Sequence, residues 1–288
     1  VGMLQAACTA AVDLLRRHGG DRSLRSMEYS LFQRDYLLVY AVVTLADWLQ
    51  GTHFHALYES HGLTQEQTAN LFLSGFVSSA VFGTFVGGVV DRVGRKRGCI
   101  LYCVLEVLIN AIEHSPDFKL LWVGRILGGI STSLLFSAFE SWMVTAHKAR
   151  GYSDELLRRT FSLMSVLNGL LAVGSGLLSH LLSETLGLGH IAPFQAAIAL
   201  TVLAIALVSR WPENYGDAPA AEEDWLGALR RRILACERRV WLIGGVQALF
   251  EGGTCASAPP PPSHSDPPLR RALRAAREGA SHPRPQRS

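Results

Sequence analysis

Gly87-Gly-Val-Val-Asp-Arg-Val-Gly-Arg-Lys-Arg97 closes a long uncharged run with a burst of charge. The run, Ala69 to Val90, is about 22 residues, which at ~1.5 Å per residue matches the hydrocarbon thickness of a bilayer. The charge that follows is mostly positive, which is how a membrane helix ends at the cytoplasmic face. The stretch therefore reads as a helix–loop–helix joint at the inner surface of a membrane.

Working outward, the same logic divides the rest of the chain. A mean hydropathy of +0.20 and 49% hydrophobic residues are high for a soluble protein, and the apolar residues gather in long runs. Six spans are expected, at about 36–58, 69–90, 99–114, 120–146, 161–183 and 190–209. Loop charge alternates between them. Arg92, Arg95, Lys96 and Arg97 share a side with Lys148, Arg150, Arg158 and Arg159, and with the basic residues after the sixth span. The opposite side carries almost nothing basic beyond Lys119. The positive-inside rule then puts the N-terminus and the loop after span six in the cytoplasm. The expected organisation is a leader at 1–35, a six-helix transmembrane bundle at 36–209, a cytoplasmic linker at 210–239, a cut-short seventh helix at 240–251 and a disordered Pro/Arg-rich tail at 252–288. The leader has its basic residues after its apolar ones, the reverse of a signal peptide. Asp224 to Leu234 reads as a short amphipathic helix, lying on the membrane or solvated. The abrupt change after Glu251 reads as a truncation, a regulatory tail being the alternative.

Several classes are not indicated. A net charge of +3 is too small to point to nucleic acid. The five cysteines are odd in number and lack a C-x-x-C, so neither a disulfide framework nor a zinc site is indicated. No nucleotide loop, metal cluster or nucleophile arrangement is visible, so an enzyme is not expected and no cofactor is called for.

Polar groups inside a bilayer are costly, and each is a functional candidate. Asp47 and Gln50 lie at i and i+3 in the first span, as path-lining groups or as inter-helix hydrogen bonds. In the second span Gly75, Ser79, Gly83, Gly87 and Asp91 step by four, a ridge for close helix packing. In the fourth, Arg125, Gly129, Ser133 and Ser137 follow a second i+4 line, with Glu140 on nearly the same face. Arg125 offers a permanent planar fork suited to an oxyanion, and Glu140 can take and release a proton. The alternative is that neighbouring helices neutralise both. They stand about 22 Å apart at helical rise, so they do not pair with each other. Glu106 lies within the third span, and Glu113 and His114 read as interfacial at its outer end. Asn168 and His180 read as packing or cavity-lining groups, and Gly169, Gly174 and Gly176 as sites of tight packing or bending.

The spacing of Gly87, Asp91, Arg92, Gly94, Lys96 and Arg97 resembles the signature loop between the second and third spans of major facilitator superfamily transporters. The resemblance narrows with Asp47-Trp-Leu-Gln-Gly51, Val81-Phe-Gly-Thr-Phe-Val-Gly87, Gly151-Tyr-Ser-Asp-Glu155, Pro212-Glu-Asn-Tyr215 and, most specifically, the run from Gly124-Arg-Ile-Leu-Gly-Gly to Ser137-Ala-Phe-Glu-Ser-Trp142. These are similar to the molybdate-anion transporter family, of the major facilitator superfamily domain-containing protein 5 type. The likeness covers about Phe32 to Glu251, the N-terminal half of a member. It implies an all-α polytopic membrane protein with the major facilitator fold, represented by the first six-helix bundle and the start of a seventh helix. It also implies uptake of molybdate or a similar oxyanion, with a carrier for other solutes such as sugars, or a non-transporting half-carrier, as alternatives. On this reading Arg125 binds or steers the anion, and Asp47, Gln50, Ser133, Ser137 and Glu140 line the path or couple protons. Gly87, Asp91, Arg92, Gly94, Arg95, Lys96 and Arg97 form the inward gate. The implied partners are the anion, membrane lipid and a missing C-terminal half or partner chain, at the plasma membrane. Two departures stand out: Thr52-His-Phe-His55 follows Gly51, and Ile112-Glu113 replaces a Thr-Lys pair. A carboxylate in place of a cation weakens attraction for an anion.

Overall fold

The computed structural model describes residues 21–51 and 53–216, with the single residues 238, 242 and 246 beyond them. Among the described residues every regular element is a helix: α1 Asp21–Gly51, α2 Phe54–Ser60, α3 Gln65–Gly83, α4 Val86–Val93, α5 Arg95–Ile112, α6 Phe118–Ala149, α7 Asp154–His180 and α8 Ala192–Val208. A π-turn, Leu181–Thr185, prolongs α7. The chain divides into two units, Val1–Glu222 and Glu223–Ser288, and all eight helices belong to the first. The expected amphipathic helix and tail lie outside the described residues, as do most of the linker and of the seventh helix.

Local chemistry sets the helix ends. Thr64 opens α3 with a capping box: its hydroxyl accepts from Gln67 N at 3.2 Å, and the Gln67 side chain accepts from Thr64 N at 2.9 Å. Asp117 opens α6 by accepting from Lys119 N at 2.9 Å. Pro193 stands in the first turn of α8, where its missing N–H costs nothing.

Two expected spans are not single helices. The first helix starts at Asp21 rather than near Tyr36. Its polar early turns dock on α7: Tyr29 OH donates to Leu156 O at 2.8 Å, and Gln33 Nε2 donates to Thr160 Oγ1 at 2.9 Å. It ends at Gly51, and α2 follows as a separate piece. The second span is bent by 54° between α3 and α4. The Thr84 hydroxyl donates to Val81 O at 2.7 Å, while Thr84 N reaches that carbonyl only at 3.4 Å. A side chain thus competes for the carbonyl just where the ladder breaks.

By length and composition, two of these helices are long and apolar enough to cross a membrane, Phe118–Ala149 and Asp154–Thr185, or three if α3 and α4 form one bent span. The others fall short for identifiable reasons. α1 begins with a polar stretch, α5 carries a basic first turn and Glu106, and α8 has 17 residues.

The helices neighbour one another in the order α3, α6, α5, α8, α1, α7. The two small-residue stripes face each other. A Cβ on Gly129 would lie 2.5 Å from Ser79 N and 2.6 Å from Gly75 O, so the α3 and α6 backbones touch. Ser78 Oγ donates to Ile126 O at 2.7 Å and Ser133 Oγ to Ser79 O at 3.2 Å. Further along, a Cβ on Gly83 would meet Ser133 Oγ at 3.5 Å and one on Gly87 the Ser137 Cβ at 4.0 Å. The glycines of α7 do not behave this way. A Cβ on Gly169, Gly174 or Gly176 would meet nothing within 4 Å, which corrects the expectation of tight packing there.

Candidate functional site

Three polar centres lie along the bundle. The first joins the end of α5 to α6. Arg125 Nη2 donates to Glu113 Oε1 at 2.8 Å, and Tyr58 OH from α2 donates to the same oxygen at 3.0 Å. His61 Nε2, just past α2, pairs with Glu113 O at 3.1 Å. The guanidinium carbon of Arg125 lies 3.7 Å from the Phe54 ring centroid, with the Tyr58 and Phe72 rings at 5.6 and 5.7 Å. Glu113 is fully buried and is no interfacial group; α2 folds over it, which the sequence around Glu113 does not announce.

One and a half turns along α6 lies the second centre. Glu106 Oε2 accepts from Gln50 Nε2 at 2.7 Å, and Oε1 accepts from Ser131 Oγ at 2.6 Å. Asn110 Nδ2 donates to Glu106 O at 2.8 Å. All four residues are buried. Asp47, one turn before Gln50 on α1, lies within electrostatic range of Glu106. Sequence reasoning named Gln50 and Asp47 but not Ser131 or Asn110. Glu106 and Asn110 at i and i+4 in an apolar helix were the available signal.

The other expected path residues scatter. Ser133 is buried in the α3 contact, Ser137 bonds its own helix at Ser133 O (2.7 Å), and Glu140 stands exposed on α6 near Tyr36 and Tyr40. Asn168 accepts from Trp48 Nε1 at 3.0 Å, tying α7 to α1.

The third centre is the charged joint. Gly94 has φ +119°, which an L side chain rarely adopts, and this lets α4 turn directly into α5. Arg95 Nε bonds Asp91 Oδ1 at 2.7 Å, and its guanidinium also reaches Ser141 O at 3.1 Å and Thr145. Residues 212–216 lie across the joint. Arg95 N donates to Asn214 O at 3.0 Å and Gly216 N to Asp91 O at 2.9 Å. The Glu213 carboxylate sits on the N-terminus of α5, accepting from Lys96 N at 2.7 Å, with Arg97 3.9 Å away. Trp142 Nε1 donates to Pro212 O at 2.9 Å, and its ring stacks on Trp211 at 3.9 Å. Lys96 Nζ reaches Ser209 O at 2.8 Å, while Arg92 and Arg97 are exposed. Asp91, Gly94, Arg95 and Lys96 are thus brought together, and Glu213 joins them. Glu213, the first carboxylate after α8, was the clue available in the sequence. Glu213→Ala removes a remote helix cap and should cost about 1–2 kcal/mol, read as a lower unfolding midpoint of the purified chain, with Glu213→Gln losing less.

The profile of the MFS_5 family, described as sugar transporters with 12 transmembrane segments, matches residues 1–257. The chain belongs to this major facilitator family. A molybdate-anion transporter of Xenopus tropicalis is 37% identical over 222 residues, covering 76% of this chain and 49% of that protein. A molybdate-anion transporter of Danio rerio is 35% identical over 247 residues, covering 77% of this chain and 51% of that protein. The chain spans about half the length of the curated relatives it matches. It is a membrane protein with the major facilitator fold. Its first six-helix bundle consists of α1 with α2, α3 with α4, and then α5, α6, α7 and α8.

Proposed function

We propose that this major facilitator chain serves in a multi-pass carrier that moves molybdate, or a closely similar oxyanion, across the plasma membrane. Arg125 carries the reading. It is a permanent cation inside an apolar helix, its side chain is 13% exposed, and its buried Nε has no partner. A tetrahedral dianion has the oxygens to fill such a fork. The relatives' names supply the choice of anion. Asp47, Gln50 and Glu140 line the path or couple protons. Ser133 and Ser137 hold α6 against the small-residue ridge of α3 and α4 while the helices move. The joint of Gly87, Asp91, Arg92, Gly94, Arg95, Lys96 and Arg97, clamped by residues 212–216, is the inner gate. Lipid covers the apolar outer faces, and a second half or partner chain completes the path.

The test is uptake of radiolabelled molybdate by cells expressing the chain together with the second half or partner chain that completes the path. Arg125→Ala should lower uptake at least about tenfold, the loss of a charged hydrogen bond. Tungstate and sulfate should compete, and glucose should not. A sugar carrier is the second reading, favoured by the family's description. Competition by glucose, with uptake indifferent to Arg125→Ala, would decide for it. Stable insertion without uptake, together with a co-purifying membrane partner, would instead point to a half-carrier.

A further inference from the structure

The second polar centre holds more acceptors than donors. Glu106 itself is answered. Ser131 Oγ donates to its Oε1 at 2.6 Å, and Gln50 Nε2 donates to its Oε2 at 2.7 Å, with Asn110 Nδ2 at 3.4 Å. The two amides that answer it are left half used. Gln50 Oε1 and Asn110 Oδ1 are buried and have no hydrogen-bond partner among the described residues. Gln50 is 5% exposed and Asn110 0%. Neither amide can turn over to find a donor, because its oxygen would then face the Glu106 carboxylate. Asn110 is fixed twice, since its Nδ2 also donates to Glu106 O at 2.8 Å. An orphan oxygen therefore stands beside Glu106 on each of two helices, α1 and α5.

Asp47 adds a second carboxylate. It lies one turn before Gln50 on the same face of α1, within electrostatic range of Glu106. Among the described residues it accepts no hydrogen bond and makes no ion pair. The cation whose field reaches Glu106 is Arg125, and Arg125 is already paired with Glu113 at 2.8 Å. Buried acceptors persist in an apolar interior where a donor, a water or a cation answers them. The helix order does not make α1 and α5 neighbours, so side chains join them here. Asp47 is the half-buried member, which leaves a way in.

We propose that Asp47, Gln50 Oε1 and Asn110 Oδ1 seat a monovalent alkali cation of the sodium class beside Glu106. The donor set chooses the class. Every free donor is an oxygen, which suits a hard cation. Among the described residues no three His, Cys, Asp or Glu side chains gather as they do at a transition-metal centre. Both Glu106 oxygens are spent on hydrogen bonds, so the free set is one carboxylate and two neutral amide oxygens. One positive charge balances it, whereas calcium takes about 6–8 oxygens. The ion ties α1, which carries Asp47 and Gln50, to α5, which carries Asn110. The seat needs no particular transported solute, so it stands apart from the oxyanion reading.

Equilibrium binding of radioactive sodium to the purified chain in lipid nanodiscs, with no molybdate present, tests this. The wild type should bind one sodium per chain, saturably. Sodium chloride in place of choline chloride at equal ionic strength should also raise its unfolding midpoint, and raise it further as the concentration grows, because a ligand held by the folded chain stabilises it. Asp47→Asn keeps the shape and removes the charge, and should weaken sodium binding at least about tenfold. Its midpoint in choline should equal or exceed that of wild type, since an unpaired carboxylate is gone, which separates lost binding from lost folding. Asp47→Glu restores the carboxylate and should recover binding. Equal wild-type midpoints in sodium and choline, with no saturable binding, would overturn the inference and leave water as the partner of the amide oxygens. Sodium binding that survives Asp47→Asn unchanged would overturn it too, by placing the ion elsewhere. Neither result bears on molybdate uptake or its dependence on Arg125, so the oxyanion reading stands or falls separately.

Discussion

Glu113→Ala and Arg125→Ala should each destabilise the chain by about 3–5 kcal/mol, the usual cost of breaking a buried ion pair from one side. The two carry different residual burdens. In Glu113→Ala the guanidinium keeps the Phe54 ring 3.7 Å beneath it but loses its carboxylate. In Arg125→Ala the carboxylate stays fully buried with only Tyr58 OH donating to it. The double variant Glu113→Leu with Arg125→Met removes both charges and fills the space. It should be more stable than either single variant, because apolar replacements often match a buried pair in stability, with a deficit of about 1–3 kcal/mol left by the Tyr58 hydroxyl that loses its acceptor. Thermal unfolding of the purified proteins in detergent reads all of this. Should the double variant be as unstable as either single one, the pair is not the source of the loss. The double variant also separates folding from function: a stable bundle without the guanidinium should not bind molybdate.

What the sequence disclosed follows from how local each signal is. The helical segments and the charged joint were readable because a helix is written in consecutive residues, and the joint in the charge and glycine beside it. The two i+4 stripes were readable for the same reason, since a helical face is a local pattern. That the stripes face each other was not, because nothing in 75–87 refers to 125–137. The polar centres show the same limit. Glu106 meets Gln50 and Ser131, and Lys96 meets Glu213, across long stretches of chain. Arg125 could be singled out as a charge in an apolar helix, but its partner could not. Glu113 lies at a helix end, and position alone makes such a residue interfacial. Its burial depends on the break after Gly51 that folds α2 over it, and the break itself has only a weak local signal.

The glycines give the sharpest test of that distinction, because Gly129→Ala and Gly176→Ala should move stability in opposite directions. Both are helical glycines among small residues, and sequence alone treats them alike. At Gly129 the added methyl would sit 2.5 Å from Ser79 N and 2.6 Å from Gly75 O. These are backbone atoms and cannot swing aside, so α3 must shift away from α6. The shift would strain the Ser78–Ile126 and Ser133–Ser79 bonds, now 2.7 and 3.2 Å long. Overpacking costs about 1–3 kcal/mol, and each weakened hydrogen bond adds about 1 kcal/mol, so a loss near 3 kcal/mol is expected. At Gly176 the methyl would meet nothing within 4 Å. There the change only removes backbone freedom from the unfolded chain and should stabilise by about 0.5–1 kcal/mol. Unfolding midpoints in detergent, measured side by side, decide it. A loss at Gly176 as large as that at Gly129 would mean that α7 has a close neighbour along that face, and the helix order given above would have to change.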